Sequence, residues 1–235
     1  MRHSSFCAAA FVVALWFSGT VPAAGPADRE VDLFVRDLNS GAATLADWEF
    51  TSEDPQAKLE DVWSVDGRIV ICKGTPKGYI ATAGEYGDFI LRLEWRWPPG
   101  GKPGNGGVLL RTTGPDKLWP KSLEAQLNHP DAGDFWGLDG FTLIGPAERT
   151  ETLEHPKFGK LTHVTKSLAA EKPPGEWNQY EIAARGDTVT LSINGKLVNR
   201  ATGCERTPGK IVLTAEGDEI HFRNVRITVL RETEK

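Results

Sequence analysis

The sequence predicts an all-β fold, a sandwich or barrel of short antiparallel strands. Helical periodicity is scarce, and Gly, Pro, Asn and Asp divide the chain into short runs of alternating polar and apolar residues. Asn194-Gly195 favours a type I′ hairpin turn, because both residues tolerate a positive φ. The runs that predict strands cover residues 68–74, 87–97, 106–112, 122–127, 178–185, 188–195, 209–216 and 219–230.

The first 24 residues have the composition of a secretory signal peptide. Arg2 precedes an apolar run at 6–17, and small residues end at Ala24. The run is too short for a membrane span, and no later segment is apolar enough to form one. We therefore expect an exported protein, periplasmic or extracellular. Residues 25–235 show no shift in composition and are expected to form a single domain.

The charge of the chain bears on its possible partners, and its cysteines bear on a possible disulfide. The formal net charge is -5 and no Lys/Arg run occurs, which argues against a nucleic-acid partner. Two cysteines remain after the predicted signal peptide, and in an exported protein this even number predicts a disulfide between Cys72 and Cys204, with two buried thiols as the alternative. No spacing fits a standard metal motif, and the sequence requires no cofactor. It does not indicate an oligomeric state.

Three runs of the sequence raise the question of a polar site. If 87–97, 106–112 and 122–127 form neighbouring strands, alternation gathers four polar side chains on one face of one sheet. These are Glu94, Arg111, Glu124 and Gln126. An ordinary solvated sheet face with weak charge pairs is the alternative interpretation.

The tryptophans favour a site over a solvated face. Trp119 and Trp136 are in loop-like segments, where an aromatic ring can stack on the C–H face of a sugar while carboxylates, amides and Arg bind its hydroxyls. Trp48, Trp63 and Trp177 are expected to fill the core.

Eight segments in order resemble the 3-keto-disaccharide hydrolase family, over about residues 34–230. They are DVWSVDGRIVICKGTPKGYIAT, YGDFILRLEWRW, GNGGVLLR, WPKSLEAQL, AGDFW, EKPPGEWNQYEI, INGKLVNRATGC and HFRNVRI. The family commonly reads Asn-Ser-Gly-Val where this chain has Asn105-Gly106-Gly107-Val108. Residues 141–170 match poorly, so no residue that gates the substrate is carried over from that segment.

The resemblance implies a concanavalin A-like jelly-roll β-sandwich, with SLEAQL on the concave sheet that holds a sugar. Glucanases of this fold often carry Glu-x-Asp-x-Glu on one strand, and the matching residues here are Glu124, Gln126 and Asn128. Two of these cannot ionise, so this strand alone cannot supply the two carboxyl groups of an ordinary glycosidase. A 3-keto sugar removes that need, because the ketone acidifies the C2 proton and one base can start elimination at C1.

The resemblance leads to roles for individual residues. We expect Glu124 to be the general base, Arg111 to stabilise the enolate, Gln126 to orient a hydroxyl and Glu94 to hold Arg111. We expect the following to contact substrate: Asn105, Trp119, Trp136, His129 and Asp134. His129, Asp131 and Asp134 are also secondary candidates for proton transfer or for binding a metal. The alternative is that they belong to an ordinary surface loop.

Three functions remain open from the sequence. The first is an exported enzyme that cleaves the glycosidic bond of 3-keto-disaccharides or 3-keto-glycosides, by hydrolysis or elimination. The second is a carbohydrate-binding, lectin-like module without catalysis, and the third is a protein-interaction domain of an envelope assembly. The irregular stretch at about 128–173 is expected to be a long loop that is functional or covers a site.

Overall fold

Strands form nearly all of the regular structure in the computed structural model, which describes residues 28–34 and 40–231. The helical elements in this part of the chain are one turn of α-helix, α1 (Leu59–Val62), and a 3₁₀ turn (Ala147–Arg149). The strands are β1 (Arg29–Asp32), β2 (Trp48–Ser52), β3 (Trp63–Asp66), β4 (Ile69–Cys72), β5 (Gly78–Thr82), β6 (Phe89–Arg96), β7 (Gly107–Thr113), β8 (Lys121–Gln126), β9 (Phe135–Leu138), β10 (Thr150–His155), β11 (Gly159–Val164), β12 (Asn178–Arg185), β13 (Thr188–Ile193), β14 (Lys196–Ala201), β15 (Lys210–Ala215) and β16 (Ile220–Val229).

The strands form two antiparallel sheets, which confirms the predicted all-β sandwich. Sheet one has the order β14-β13-β12-β6-β16-β4-β3, and β1 also pairs with β16. Sheet two has the order β10-β11-β9-β8-β7-β15-β5-β2. Alternate residues of both sheets face each other in one apolar core, for example Leu91 from β6 and Leu123 from β8.

All eight predicted strands are present, as is the predicted hairpin. Asn194 and Gly195 have φ of 51° and 76° in the turn between β13 and β14. The prediction of one long loop at 128–173 was wrong, because this stretch contains β9, β10 and β11. The sequence of β10 is TETLEH and its side chains are mostly exposed, so no apolar alternation marks it as a strand.

The predicted disulfide is also wrong. Cys72 and Cys204 are buried free thiols, and burial raises the pKa of each to about 12. Cys72 ends β4, whereas Cys204 follows β14 at the far edge of sheet one, five strands away. At about 4.8 Å per strand this is on the order of 20 Å, far beyond the Cα separation that a disulfide spans.

Two predictions concern the ends of the chain. The predicted signal peptide, residues 1–24, lies outside the described residues, so export stays a prediction. In the part of the chain that the structure describes, no helix has the length and apolar character needed to cross a membrane. A single domain at 25–235 likewise stays a prediction.

Candidate active site

The outer face of sheet two, the face turned away from the core, carries the candidate site. Side chains on this face alternate along each strand with core residues, so β7 and β15 each place an apolar residue there. The apolar members are Tyr79, Ala81, Leu109, Leu138, Leu161 and Val212, and Trp119, Trp136 and Phe158 pack against them. A carboxyl group among these residues is surrounded by low-dielectric material.

Glu124 is such a carboxyl group. It lies in β8 between Leu109 of β7 and Trp136 of β9, and only 4% of its surface is exposed. Its Oε1 atom has no hydrogen-bond partner among the described residues. Gly107 makes room for this carboxyl, because a Cβ atom on Gly107 would come within 2.1 Å of Oε1.

A second carboxyl group, Glu216, follows β15 and faces the same site. Thr214 accepts a hydrogen bond from the Gly107 backbone N–H at 2.6 Å, and its hydroxyl donates to Glu216 Oε1 at 2.7 Å. Asn105 Nδ2 donates to Glu216 Oε2 at 2.7 Å, and the Trp119 indole also hydrogen-bonds this carboxyl. Glu216 is therefore held by three donors, whereas Glu124 has one oxygen without any.

The two carboxyl groups shift each other's titration. Burial raises the pKa of Glu124 well above its usual range, and the charge of Glu216 raises it further. Burial also raises the pKa of Glu216, while the hydrogen bond from Thr214, the charge of Lys77 and the Trp119 hydrogen bond act to lower it. The donors favour the ionised form of Glu216, and the proton that the pair retains therefore belongs on Glu124.

Gln126 and Asn105 lie near the two carboxyl groups on this face. Gln126 faces the same side as Glu124, and its Oε1 accepts hydrogen bonds from the backbone N–H groups of Leu127 and Asn128, at 2.9 and 2.8 Å. The Oδ1 atom of Asn105 is buried and has no partner in the described part of the chain. Together with Glu124 Oε1, this gives two buried acceptors that protein groups leave unpaired.

Trp119 and Trp136 also lie on this face. Trp119 has a positive φ of 54°, an uncommon conformation for a bulky residue. Residues 156–158, which we call the covering turn, join β10 to β11, and the ring of Phe158 packs on Trp119 with centroids 5.2 Å apart. Trp136 stacks in parallel on His163 at 4.0 Å. The aromatic rings and the covering turn thus form one layer over the sheet.

Asp134 and His163 form a charged pair beside Trp136. His163 Nε2 lies 2.7 Å from Asp134 and its Nδ1 lies 3.1 Å from Glu151. Burial lowers the pKa of His163, but the two carboxylates outweigh it and raise the pKa above its usual value. Burial raises the pKa of Asp134, but His163 and Lys166 outweigh it and lower the pKa. Both ring nitrogens of His163 lie within hydrogen-bond distance of a carboxyl group, an arrangement that favours the protonated ring.

His129 lies at the end of this face, where its backbone N–H donates to Gly104. Its Nδ1 is 2.9 Å from the buried carboxyl of Glu171, whose other oxygen accepts from the Trp97 indole at 3.0 Å. Glu171 thereby fixes the orientation of the His129 ring, which is 35% exposed. The sequence did not identify Glu171.

Arg111 is not at the site, so its predicted gathering with Glu124 was wrong. A β-bulge at Arg111, which has φ of 49°, turns its side chain into the sandwich. There its guanidinium donates to the carbonyl oxygens of Gly87, Glu205 and Gly186 and to Asp88. Simple alternation fails at the bulge, which turns Thr112 outwards instead, opposite Lys210.

Glu94 is on the other sheet, so its predicted contact with Arg111 was also wrong. It lies in β6, which pairs with β12 and β16 rather than with β7. Its carboxylate accepts from Arg223 Nη2 at 2.6 Å and from Asn224 at 2.9 Å. The assumption that consecutive strands are neighbours failed between 87–97 and 106–112, because the chain changes sheets there.

The sequence analysis missed Glu216 and Thr214. Alternation along 209–216 places both on the face of Val212, but β15 pairs with β7 only through a connection of about a hundred residues. Chain order therefore gives no signal that they adjoin Glu124. No group of three or more potential metal ligands occurs among the described residues.

Comparison with known proteins agrees with this architecture. The model of a family described as "3-keto-alpha-glucoside-1,2-lyase-like domain" matches residues 33–228 of the chain. A search of curated protein sequences finds no match.

Solved structures show the same fold at low sequence identity. A Parabacteroides distasonis ATCC 8503 protein, provisionally named as a glycosyl hydrolase, has 21% identity and a TM-score of 0.58, and the match covers 86% of this chain and 100% of that one. The carbohydrate-binding module CBM66 of Bacillus subtilis has 14% identity and a TM-score of 0.54, and the match covers 77% of this chain and 95% of that one. The Bacillus licheniformis β-glucanase has 14% identity and a TM-score of 0.52, and the match covers 88% of this chain and 99% of that one. The predicted concanavalin A-like jelly roll is thus confirmed.

Proposed function

Because the chain belongs to the 3-keto-α-glucoside-1,2-lyase-like family, we propose that it cleaves the glycosidic bond of 3-keto glycosides through Glu124 and Glu216. The observation that carries the proposal is the carboxyl pair on the outer face of sheet two, in which Glu124 is buried and Glu216 is partly buried. One member is held by three donors and the other retains an unpaired oxygen. Such a pair supplies one base and one acid at the same pH.

The cleavage that we propose needs two proton transfers, one to a base and one from an acid. The C3 ketone acidifies the C2 proton, which a carboxylate removes to leave an enolate. The enolate electrons form the C1–C2 double bond, the C1–O bond breaks, and the leaving oxygen takes a proton from the second carboxyl group. Water can then add across the new double bond, with hydroxyl at C1 and hydrogen at C2, which gives net hydrolysis.

We assign the base to Glu216 and the acid to Glu124. The three donors around Glu216 favour its anion, and burial beside that anion keeps Glu124 protonated. This reverses the role that the sequence predicted for Glu124. Arg111 has no part in the step, because its guanidinium is committed to carbonyl oxygens inside the sandwich.

The same face offers groups that suit a sugar. Trp119 and Trp136 present aromatic rings, and Gln126 and Asn105 present amide groups beside the carboxyl pair. Rings that stack on sugar C–H faces and amides that bind hydroxyls are typical of carbohydrate sites. The proposed substrate is therefore a glycoside whose oxidised ring lies against Glu124 and Glu216.

The test compares methyl 3-keto-α-glucoside and 3-keto-maltose with their unoxidised counterparts. We expect cleavage of the oxidised compounds only, and Glu124→Gln and Glu216→Gln should each lower kcat/KM about a hundred-fold or more, the usual scale of acid–base catalysis. Glu94→Gln, on the opposite sheet, is the matched control and should retain wild-type kinetics. Near-normal turnover by either site variant would contradict the assignment.

A good leaving group separates the acid from the base. A 4-nitrophenyl 3-keto-α-glucoside releases an anion that needs no proton, so Glu124→Gln should regain most of its activity on it while Glu216→Gln should not. Rescue of Glu216→Gln and not of Glu124→Gln would instead identify Glu124 as the base. Cleavage of unoxidised maltose would instead indicate an ordinary glycosidase. Saturable binding without product would indicate a binding module, and neither binding nor product would favour an interaction domain.

A further inference from the structure

We propose that a cavity beside the carboxyl pair, on the outer face of sheet two, binds the sugar unit on the leaving side of the glycosidic bond, an inference that rests on the proposed function. The cavity has a volume of about 130 Å³ and lies where β5, β7 and β15 meet the segment 113–120. The residues of its wall that carry the argument are Tyr79, Glu85, Thr112, Asp116, Lys210 and Val212.

The cavity lies at a distance from the carboxyl pair that suits a neighbouring ring. Val212 pairs with Leu109, which in turn pairs with Glu124. Neighbouring strands are about 4.8 Å apart, so the cavity wall at Val212 is about 10 Å across the sheet from Glu124. A single pyranose ring is too short to fill both places, whereas two linked rings reach from one to the other.

Trp119 connects the two places. Its ring packs on the apolar cluster that includes Leu109 and Val212, its indole hydrogen-bonds Glu216, and the next residue, Pro120, lines the cavity. The left-handed backbone at Trp119 costs free energy, and such conformations are concentrated at functional sites. A ring that enters the cavity therefore lies beside an aromatic surface, as sugars in binding sites commonly do.

Thr112 gives the cavity an unsatisfied hydroxyl. Its side chain is 9% exposed, and within the described residues its Oγ1 atom has no hydrogen-bond partner. A buried hydroxyl without a partner is costly, so a ligand hydroxyl that reaches it gains a hydrogen bond at little desolvation cost. The bulge at Arg111 is what turns Thr112 towards the cavity, which gives this irregularity a function besides burying the arginine.

The size and charge of the cavity specify the ligand. Its volume is well below the roughly 300–1,000 Å³ of pockets for drug-sized ligands, so it has room for no more than one ring. Lys210 supplies donors and also pairs with Glu49, while Asp116 and Glu85 supply acceptors. Acids outnumber bases in this wall, so it favours a neutral hexose over a uronic acid or a sugar phosphate.

The test compares two substrates that share the oxidised ring. In 3-keto-maltose the leaving group is glucose, and in methyl 3-keto-α-glucoside it is methanol. We expect Thr112→Val to raise KM for 3-keto-maltose about five-fold, as for one lost hydrogen bond, and to leave the methyl glucoside kinetics unchanged. Thr190→Val, on sheet one, is the control and should change neither. Equal effects on both substrates, or no effect on either, would overturn the proposal.

A binding measurement separates this inference from the proposed function. If neither oxidised substrate is cleaved, the proposed function fails, and the cavity is then tested by calorimetry with maltose and with glucuronic acid. Wild-type binding of maltose that weakens several-fold in Thr112→Val, with no binding of glucuronic acid, supports the cavity. Equal maltose affinity in the two proteins, no maltose binding, or preference for the acid would overturn it.

Discussion

The outer faces of the two sheets carry similar residue types in very different surroundings. On sheet one, Arg92 and Glu181 form an ion pair across neighbouring strands, and both side chains are 48% exposed. On sheet two, Glu124 is 4% exposed beneath a layer of aromatic residues. Alternation places polar side chains on both faces, but only cover from other segments turns a sheet carboxyl into a buried acid with a shifted pKa.

The aromatic residues of the two faces differ in the same way. Trp177 lies on the sheet one side, with the guanidinium groups of Arg96 and Arg223 at 4.5 and 4.0 Å from its ring, so the prediction that it fills the core was wrong. Trp48 and Trp63 are buried, as predicted. Cations over the partly buried ring of Trp177 need no catalytic explanation. The Trp119 indole, in contrast, hydrogen-bonds Glu216 and lowers the pKa of this carboxyl group.

The largest expected effect comes from the glycine that makes room for Glu124. A Cβ atom in Gly107→Ala would lie 2.1 Å from Glu124 Oε1, so the carboxyl must leave its present position. We expect kcat/KM on an oxidised glycoside to fall about a hundred-fold, because proton transfer requires the acid to be in place. Initial rates, with thermal melts as the folding check, measure this.

Gly106 provides the matched control for that variant. A Cβ atom at Gly106 would meet only Ile220 Cδ1, at 3.5 Å, an ordinary contact. Gly106→Ala should therefore keep near-normal turnover, as should Gly106→Ser, which restores the hydroxyl common in the family. Equal loss in Gly106→Ala and Gly107→Ala would mean that the strand, rather than the Glu124 carboxyl, is what the substitutions disturb.

The second expected effect concerns the arginine that the sequence assigned to the polar face. Arg111→Lys leaves some of the carbonyl oxygens of Gly87, Glu205 and Gly186 without a donor, since a point charge replaces a fork of donors. We expect the free energy of unfolding to fall by about 2 kcal/mol, at about 1 kcal/mol for each lost hydrogen bond. Urea titration measures this. A normal stability with a large loss of kcat would return Arg111 to the active site.

Local patterns predicted eight of the sixteen strands in the described residues and the shared face of Glu124 and Gln126. Alternation in 122–127 placed Glu124 and Gln126 on one face, because β8 is a regular strand whose two sides differ in polarity. Asn194-Gly195 identified its hairpin because the φ requirement of that turn is local. Properties that depend on a few consecutive residues can thus be predicted from the sequence.

The errors came from non-local pairing and from one irregularity. Glu94 was placed on the wrong sheet because the pairing of β6 with β12 and β16 is a tertiary property. Arg111 and Thr112 exchanged sides because a bulge shifts alternation by one residue without a mark in the sequence. Glu216 was missed because of non-local pairing, since only the pairing of β15 with β7 brings it near Glu124.

A third, smaller effect should appear as a pH dependence of stability. The pKa of Glu124 is higher in the folded protein than in the unfolded chain, so the folded state binds a proton that the unfolded state releases. The stability that this bound proton contributes is fully present below the pKa of Glu124 in the unfolded chain, about 4.3. It is lost as the pH rises towards the pKa of Glu124 in the folded protein. Within that window the slope is about 1.4 kcal/mol per pH unit.

Glu124→Gln removes this titration and nearly preserves the shape of the side chain. Relative to the wild type, we expect the variant to gain stability as pH rises from 5 towards 8, measured by thermal melts at several pH values. Glu176→Gln, an exposed substitution outside the site, should follow the wild type throughout. A constant difference between Glu124→Gln and the wild type across this range would mean that Glu124 is ionised in the folded protein.

The smallest effect is expected on the other face. Arg92→Ala removes the ion pair with Glu181, at 2.7 Å, but both partners are half exposed and screened by solvent. We expect the free energy of unfolding to change by no more than about 0.5 kcal/mol, with no change in kcat/KM on an oxidised glycoside. Urea titrations at low and high salt, with the double variant Arg92→Ala/Glu181→Ala, isolate the pair energy. A coupling energy above about 1 kcal/mol, or a loss of turnover, would show that the contrast between the two faces is weaker than their exposure indicates.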